Sequence, residues 1–405
     1  MNIGLLIDGF GWGGGIDLLK RYAMALDSQD CKIYLMVFDK DTTFSGVLKR
    51  IKTGIIVFLK RILRKKVPAK SNINETINSF LAISNKIECL HLNKANLNKV
   101  CKNNKIDILF PSIGVLSKKI KIPWIGYVYD FQHKYYPNLF TKRSIAVRDK
   151  EFKKMLNKSE AIIVNSYDTK KDCDLFVPHH KSRIYVAPFY PVPKASWLED
   201  KSEIIEKYPT QSPYIIISNQ LWVHKGHGDA IDALSILVNN YGMKDIKLIC
   251  TGSTFDYRFP DYFDKLQDKI NSYGLKENVF FVGFVSKEEQ IELIKHSTVV
   301  LQPTMFEGGP GGGIASDAIA LGKRILLSDI NVNKEIVNEL AFFFKAGDKE
   351  SLAAELKEII NAKPKEFGHN ELIDIGKKNL CLFGDFLINM FNNEIDNQKN
   401  RKNKR

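Results

Sequence analysis

Apolar runs of strand length alternate with longer stretches of helical spacing along almost the whole chain. A parallel sheet wrapped by helices reads this way, because its strands are buried on both faces and each crossover helix carries one apolar stripe. In the first half IGLLID, KIYLMVF, ILFPS, WIGYVYD, AIIVNS and RIYVAP are expected strands, and in the second half YIIISN, KLICTG, VFFVGF, TVVLQP and RILLSD. Between the two series Pro188, Pro191 and Pro193 stop regular pairing and suit a linker. The pattern predicts an α/β fold of two Rossmann-like doubly wound domains facing across a cleft, over 1–190 and 191–365. Leu380, Phe383, Phe386, Leu387 and Met390 recur at helical spacing, so a closing helix is expected over 366–395. Residues 396–405 lack apolar side chains and are expected to be a disordered basic tail. No short-period repeat is present, which excludes a solenoid.

Composition agrees with two domains: 405 residues, 44% hydrophobic and 26% charged, exceed one ordinary core. Six cysteines, with no CxxC pair, fit reduced thiols in a cytosolic compartment and argue against structural zinc. The chain reaches Asp8 after a short apolar run, so its start reads as a strand and not as a signal peptide. No run of about eighteen apolar residues is available for a spanning helix.

The formal charge of +14 is unevenly spread. Over 47–70, Ile51, Ile55, Phe58, Leu59, Ile62 and Leu63 recur at roughly helical spacing among nine basic residues, including Lys49, Arg50, Lys60 and Arg61. Such a segment can lie on an anionic membrane surface, each basic residue there adding about 1 kcal/mol. A core-packed helix with a solvated basic face is the alternative. Binding to nucleic acid is disfavoured, since the basic residues concentrate in one apolar-faced stretch instead of interleaving with aromatics. A cytoplasmic protein peripheral on the inner face of the cell membrane is the expectation.

Doubly wound sheets bind ligands beyond the carboxyl ends of their strands, so the loops there are where chemistry is sought. After TVVLQP comes Phe306-Glu307, then five glycines in the six residues 308–313, then a helical run ending at Gly322. A glycine-rich turn feeding a helix offers free backbone N–H groups to phosphate or sugar oxygens. Gly308, Gly309, Gly311 and Gly312 permit close approach, and the carboxylates of Glu307 and Asp317 suit sugar and ribose hydroxyls. A flexible loop with a solvated Glu is the bland alternative, at an entropic cost that so many glycines would incur to no purpose.

This stretch resembles the E-x7-E motif of family 4 glycosyltransferases of the GT-B fold, bacterial surface-polysaccharide type, and the resemblance extends across nearly the whole chain. Ala315 stands at the strict spacing, whereas the register ending at Gly322 aligns Asp317 with the second Glu. A two-residue insertion and a Glu-to-Asp change account for the difference. SNQLWVHKGHG resembles the family's G-R-L-x-x-x-K-G, whose Arg and Lys hold the donor diphosphate. Lys225 matches the Lys, but Gln220 replaces the Arg, so Lys225, the 308–313 amides and Gln220 as an uncharged donor are expected to carry the phosphate. His224 and His227, with no ligand partner at suitable spacing, are expected as surface or capping residues.

The loop from Gly11 to Asp17 is not GxGxxG; it resembles the family's N-terminal glycine loop, which places Gly14 and Gly15 beside donor phosphate and acceptor. Tyr129-Asp130 stands where many members carry His-Asp, with His133 three residues on. Asp130 or His133 is expected to orient donor hydroxyls or the acceptor, and Tyr135 and Tyr136 to offer stacking faces. A capping Asp and a packed His are the alternative. Asn165-Ser166 and Gly252-Ser253 are expected at strand ends facing the same cleft.

No nucleophilic triad or paired carboxylates stand out, which leaves catalysis by positioning and charge stabilisation. The resemblance implies a retaining hexosyl transfer from a UDP- or GDP-linked sugar to a saccharide acceptor. That acceptor class includes polyprenyl-diphosphate-linked glycans of O-antigen or capsule synthesis. No DxD stands in a suitable loop, so no metal and no cofactor are expected. A sugar-nucleotide epimerase on the same architecture, and a membrane- or nucleic-acid-binding protein, are the competing readings.

Overall fold

The computed structural model describes residues 1–11, 13–38, 73–93 and 95–403. The basic segment 47–70 lies outside the described residues. Seven strands form the first sheet: β1 (Asn2–Leu6), β2 (Lys32–Phe38), β3 (Ile87–Leu92), β4 (Ile108–Ser112), β5 (Trp124–Tyr127), β6 (Ala161–Val164) and β7 (Arg183–Val186). Their order is β3-β2-β1-β4-β5-β6-β7, parallel throughout. The second sheet holds β8 (Tyr214–Ser218), β9 (Lys247–Thr251), β10 (Val279–Gly283), β11 (Val299–Gln302), β12 (Ile325–Ser328) and β13 (Ala341–Phe344), in the order β10-β9-β8-β11-β12-β13.

The inner strands β4, β6, β11 and β12 are buried at every position, as continuous apolar runs require when helices cover both faces. Both strands absent from the sequence expectation, β3 and β13, are edges. Edge strands are half covered, and β3 accordingly carries exposed Glu88 and His91 between its buried ends.

In each sheet the strand order reverses once, between β1 and β4 and between β8 and β11. Loops diverge there in opposite directions and open a crevice above the strand ends. The loop after β1 enters the helix Gly13–Asp27, the loop after β8 carries 219–226, and the loop after β11 carries 303–311. All three converge on the space between the domains.

The chain then returns to the first domain through the helix His369–Asn403. Phe383 meets Tyr22 at 5.6 Å and Phe391 meets Phe110 at 5.2 Å between ring centroids. Gly384 lies so close to the helix Gly13–Asp27 that a Cβ would overlap the Ala25 carbonyl oxygen. Glu394 is gripped by the Arg183 guanidinium (Nε at 2.9 Å) and the Tyr185 hydroxyl (2.8 Å) on β7. The expectation of a disordered end from 396 is corrected: the helix continues to Asn403, with Arg401 paired to Glu160. Extension of a helix already docked by its apolar face fixes one residue per new hydrogen bond and needs no further nucleus. No helix among the described residues is long and apolar enough to cross a membrane.

Candidate active site

Between the domains lies a cleft of about 620 Å³. The first domain lines it with Gly14, Gly15, Tyr127, Tyr129, Asp130 and Arg148, and the second with Trp222, Glu307, Gly308, Gly309, Gly312 and Asp317. Gly14 and Gly15 open the helix Gly13–Asp27, which has no acidic residue in its first turn to occupy its positive end.

Lys225 ends a short 3-10 turn, Val223–Lys225, after β8. Gly226 follows with φ +72°, and a Cβ there would overlap the Pro303 carbonyl oxygen, so only glycine lets the two loops meet. The His224 carbonyl accepts from the Met305 amide (2.8 Å) and the Thr304 hydroxyl (3.2 Å), which ties the loop after β8 to the loop after β11. Across that seam the Lys225 ammonium donates to Glu307 Oε1. Gln302, the last residue of β11 and fully buried, donates from Nε2 to the same oxygen at 2.9 Å and accepts from the Asn219 amide. Glu307 is thereby aimed by one neutral and one charged donor. Sequence reasoning singled out Glu307 and Lys225 but missed Gln302, which reads as an ordinary strand residue.

The glycine loop is pressed against the first domain. A Cβ on Gly308 would overlap the Tyr129 carbonyl oxygen, and one on Gly309 would come within 2.9 Å of the Asn165 Cβ. Ser166 and Thr169 hydroxyls donate to the Gly308 carbonyl at 3.2 and 3.1 Å. The expectation that the 308–313 amides act together needs correction. Pro310 has no N–H, the Gly311 amide donates to Asn333 Oδ1 (2.9 Å), and the Gly312 amide turns back to the Gly309 carbonyl (3.2 Å). The amides of Gly308, Gly309 and Gly313 have no partner among the described residues.

Asp317 is buried in the helix Gly312–Ala320 and reaches the cleft. Its carboxylate is held by Arg21 Nη2 of the first domain (3.3 Å) and Lys287 Nζ of the second (2.5 Å). A diol binding there would meet a carboxylate already engaged on both oxygens. Gln220 is exposed and outside the cleft lining, so its role as a phosphate donor finds no support in its position. Gly252, φ +106°, abuts the Asn219 carbonyl and lets β9 approach the loop after β8.

Asp130 faces the cleft, accepts from the Gln132 amide at 2.9 Å and lies 3.4 Å from Arg148 Nη1. Burial raises its pKa, against the pull of that amide and of Arg148. Arg148 stacks over Tyr129 (5.1 Å) and Phe140 (4.7 Å), which fixes a cation at the cleft wall. Neither Arg148 nor Arg21 belongs to a sequence motif; both sit mid-helix with nothing local to mark them. The Asn165 amide donates to the Tyr127 hydroxyl at 2.6 Å, while Asn165 Oδ1 has no partner among the described residues.

His133 is not part of this wall, which corrects the expectation. It is buried among Phe131, Phe140 and Phe152, its Nε2 lies 2.9 Å from Asp149, and burial lowers its pKa. Tyr135 and Tyr136 are likewise spent on packing: their rings meet Phe306, and their hydroxyls donate to Asp172 and to the Met305 carbonyl (3.2 Å). His224 and His227, expected at the surface, are buried; burial, then the Lys225 charge, pushes both down to about 3.

A second set of contacts closes the cleft. Glu335, just after β12, accepts from the Tyr167 and Asp168 amides at 2.9 and 2.8 Å, capping the helix Tyr167–Phe176 of the other domain. Carboxylates at a helix N-terminus are favoured by its free donors and its dipole.

Two parallel-sheet Rossmann-like domains facing across a cleft are the GT-B architecture. Residues 199–374 match the model of the family described as Glycosyl transferases group 1. An uncharacterized glycosyltransferase of Methanocaldococcus jannaschii is 24% identical over 232 residues, 56% of each chain. The O-antigen chain mannosyltransferase RfbU of Salmonella typhimurium is 26% identical over 40% of this chain and 42% of its own. These matches thus span about half the relatives' lengths. Among solved structures, Anabaena HepE in complex with UDP and glucose superposes with a TM-score of 0.59 at 15% identity, covering 99% of this chain and all of its own. At that identity the likeness establishes the fold.

Proposed function

We propose that the protein is a retaining glycosyltransferase that moves a hexose or related sugar from a UDP- or GDP-linked donor to a saccharide acceptor. The observation that carries this reading is the Lys225–Glu307 pair at the cleft, with the glycine loop clamped beside it. A cation and a carboxylate held together by neighbouring loops are suited to a diphosphate and to sugar hydroxyls respectively. On donor binding the pair separates: the ammonium goes to the phosphates and the carboxylate to the hydroxyls, while Gln302 keeps Glu307 aimed.

The acceptor hydroxyl attacks the anomeric carbon on the face from which the nucleoside diphosphate departs. The new C–O bond forms as the C1–phosphate oxygen bond breaks, and the acceptor proton passes to the leaving phosphate. Lys225 and the free amides of Gly308, Gly309 and Gly313 stabilise the charge that develops on it. Asp130, backed by Arg148, orients the transferred sugar or the acceptor. No cofactor or metal enters this scheme.

The complex of HepE with UDP and glucose supports a uridine donor, and RfbU, named for O-antigen chain mannosyl transfer, supports a surface-polysaccharide acceptor. A polyprenyl-diphosphate-linked acceptor and attachment of 47–70 to an anionic inner membrane face rest on the sequence. A thermal-unfolding panel of UDP-, GDP- and ADP-sugars tests the donor class. A ligand at about 100 times its dissociation constant adds roughly 2.7 kcal/mol; no shift with any of them refutes the reading.

A further inference from the structure

Away from the cleft, Asp200, Glu292 and His296 each bring one ligand atom to within 4.8 Å of the others. Glu292 and His296 are four residues apart on the helix Lys287–His296, so they share a face. Asp200 comes from the connection between the domains, just after the turn Ala195–Trp197.

The Glu292 carboxylate is 2% exposed. Its Oε1 accepts from Lys295 Nζ at 2.6 Å. Its Oε2 is buried with no hydrogen-bond partner among the described residues, and His296 Nε2 stands 3.5 Å away, beyond good hydrogen-bond length. Asp200 is already oriented: its Oδ1 accepts from the Ser202 amide at 3.0 Å, and Ser202, then His296 and Lys295, hold its carboxyl below the usual range. Ligands pre-positioned by outer partners, around a buried oxygen that lacks one, are what a cation site requires.

We propose that Asp200, Glu292 and His296 form a divalent-cation site of zinc type that pins the interdomain connection to the second domain. One imidazole nitrogen and two carboxylate oxygens suit zinc, and three protein ligands leave a position for water. The Lys295 ammonium, 2.6 Å from Glu292 Oε1, offsets part of the negative charge. The opposite end of the same helix reaches the cleft, where Lys287 binds Asp317 and stands over Trp197 at 5.3 Å. A cation at His296 thus fixes the connection at both ends of one rigid helix. Cysteine-based reasoning passed over the site, because its ligands are oxygen and imidazole and Asp200 is remote in sequence.

ZnCl2 titrated into the metal-stripped full-length protein, followed by calorimetry and thermal unfolding, tests the site. The expected result is one saturable zinc ion per chain with a rise in the unfolding midpoint. His296→Ala and Asp200→Asn change exposed positions that leave the core intact, and each is expected to weaken binding at least tenfold and abolish the rise. Absence of saturable binding in the wild type, or wild-type affinity in both variants, overturns the proposal.

Discussion

Lys225 and Glu307 neutralise each other across the seam between the loops after β8 and β11, and Gln302 holds the carboxylate in place from below. The two groups proposed to divide the donor between them are therefore stored as a pair. Glu307→Gln keeps the shape and the Gln302 neighbour while releasing Lys225. Turnover is expected to fall about 100-fold or more, with binding of the nucleoside diphosphate retained. Steady-state kinetics beside nucleotide titrations check this split, and normal turnover in the variant contradicts it.

Gly226 lets Lys225 reach Glu307. Gly226→Ala introduces a Cβ into the Pro303 carbonyl at a left-handed backbone position. A loss of about 2 kcal/mol or more in urea unfolding is expected, together with loss of nucleotide binding, because the two loops must part. Unchanged stability would show that the loops accommodate the methyl group.

The Asp172 carboxyl is buried beneath Tyr135 and pushed up to about 6, by burial first and by Asp168 and Asp130, against the Tyr135 hydrogen bond. Its folded pKa exceeds its unfolded value, so the native state binds the proton more tightly. Stability from this group is greatest below about pH 4 and declines as pH rises through about 6, by roughly 2–3 kcal/mol. Asp172→Asn retains an acceptor for Tyr135 and removes the decline. Urea unfolding of both proteins at pH 4 and pH 7 measures it, and equal pH slopes would contradict the assignment.

Glu335 joins the domains by capping the helix Tyr167–Phe176 across the cleft. Glu335→Ala leaves two amides uncapped, at a cost of about 1 kcal/mol to the closed form. Small-angle scattering is expected to show a larger radius of gyration for the unliganded variant and a wild-type radius once nucleotide saturates it. An unchanged unliganded radius would remove the latch role.

Much of the fold was legible because inner strands of a doubly wound sheet are unbroken apolar runs. Only the edges β3 and β13 escaped, β3 because half-solvated strands carry residues such as Glu88 that blur the pattern. Within the site, Glu307 and Lys225 stood out through loop chemistry and resemblance. Arg21, Arg148, Gln302 and Glu335 did not: Arg21 and Glu335 act on residues 296 and 168 positions away, Arg148 acts from the middle of an ordinary helix, and Gln302 ends an ordinary strand. His133 misled for the opposite reason: its place in the sequence beside Asp130 says nothing about direction, and the short helix Gln132–Tyr135 turns it into the aromatic core.

Calorimetric titration of UDP and GDP into the wild type and Lys225→Met tests the central claim most directly. The account predicts one saturable site per chain for at least one of the two nucleotides, weakened tenfold or more in the variant. Equal affinity in both proteins, or no binding of either nucleotide to the wild type, would contradict it.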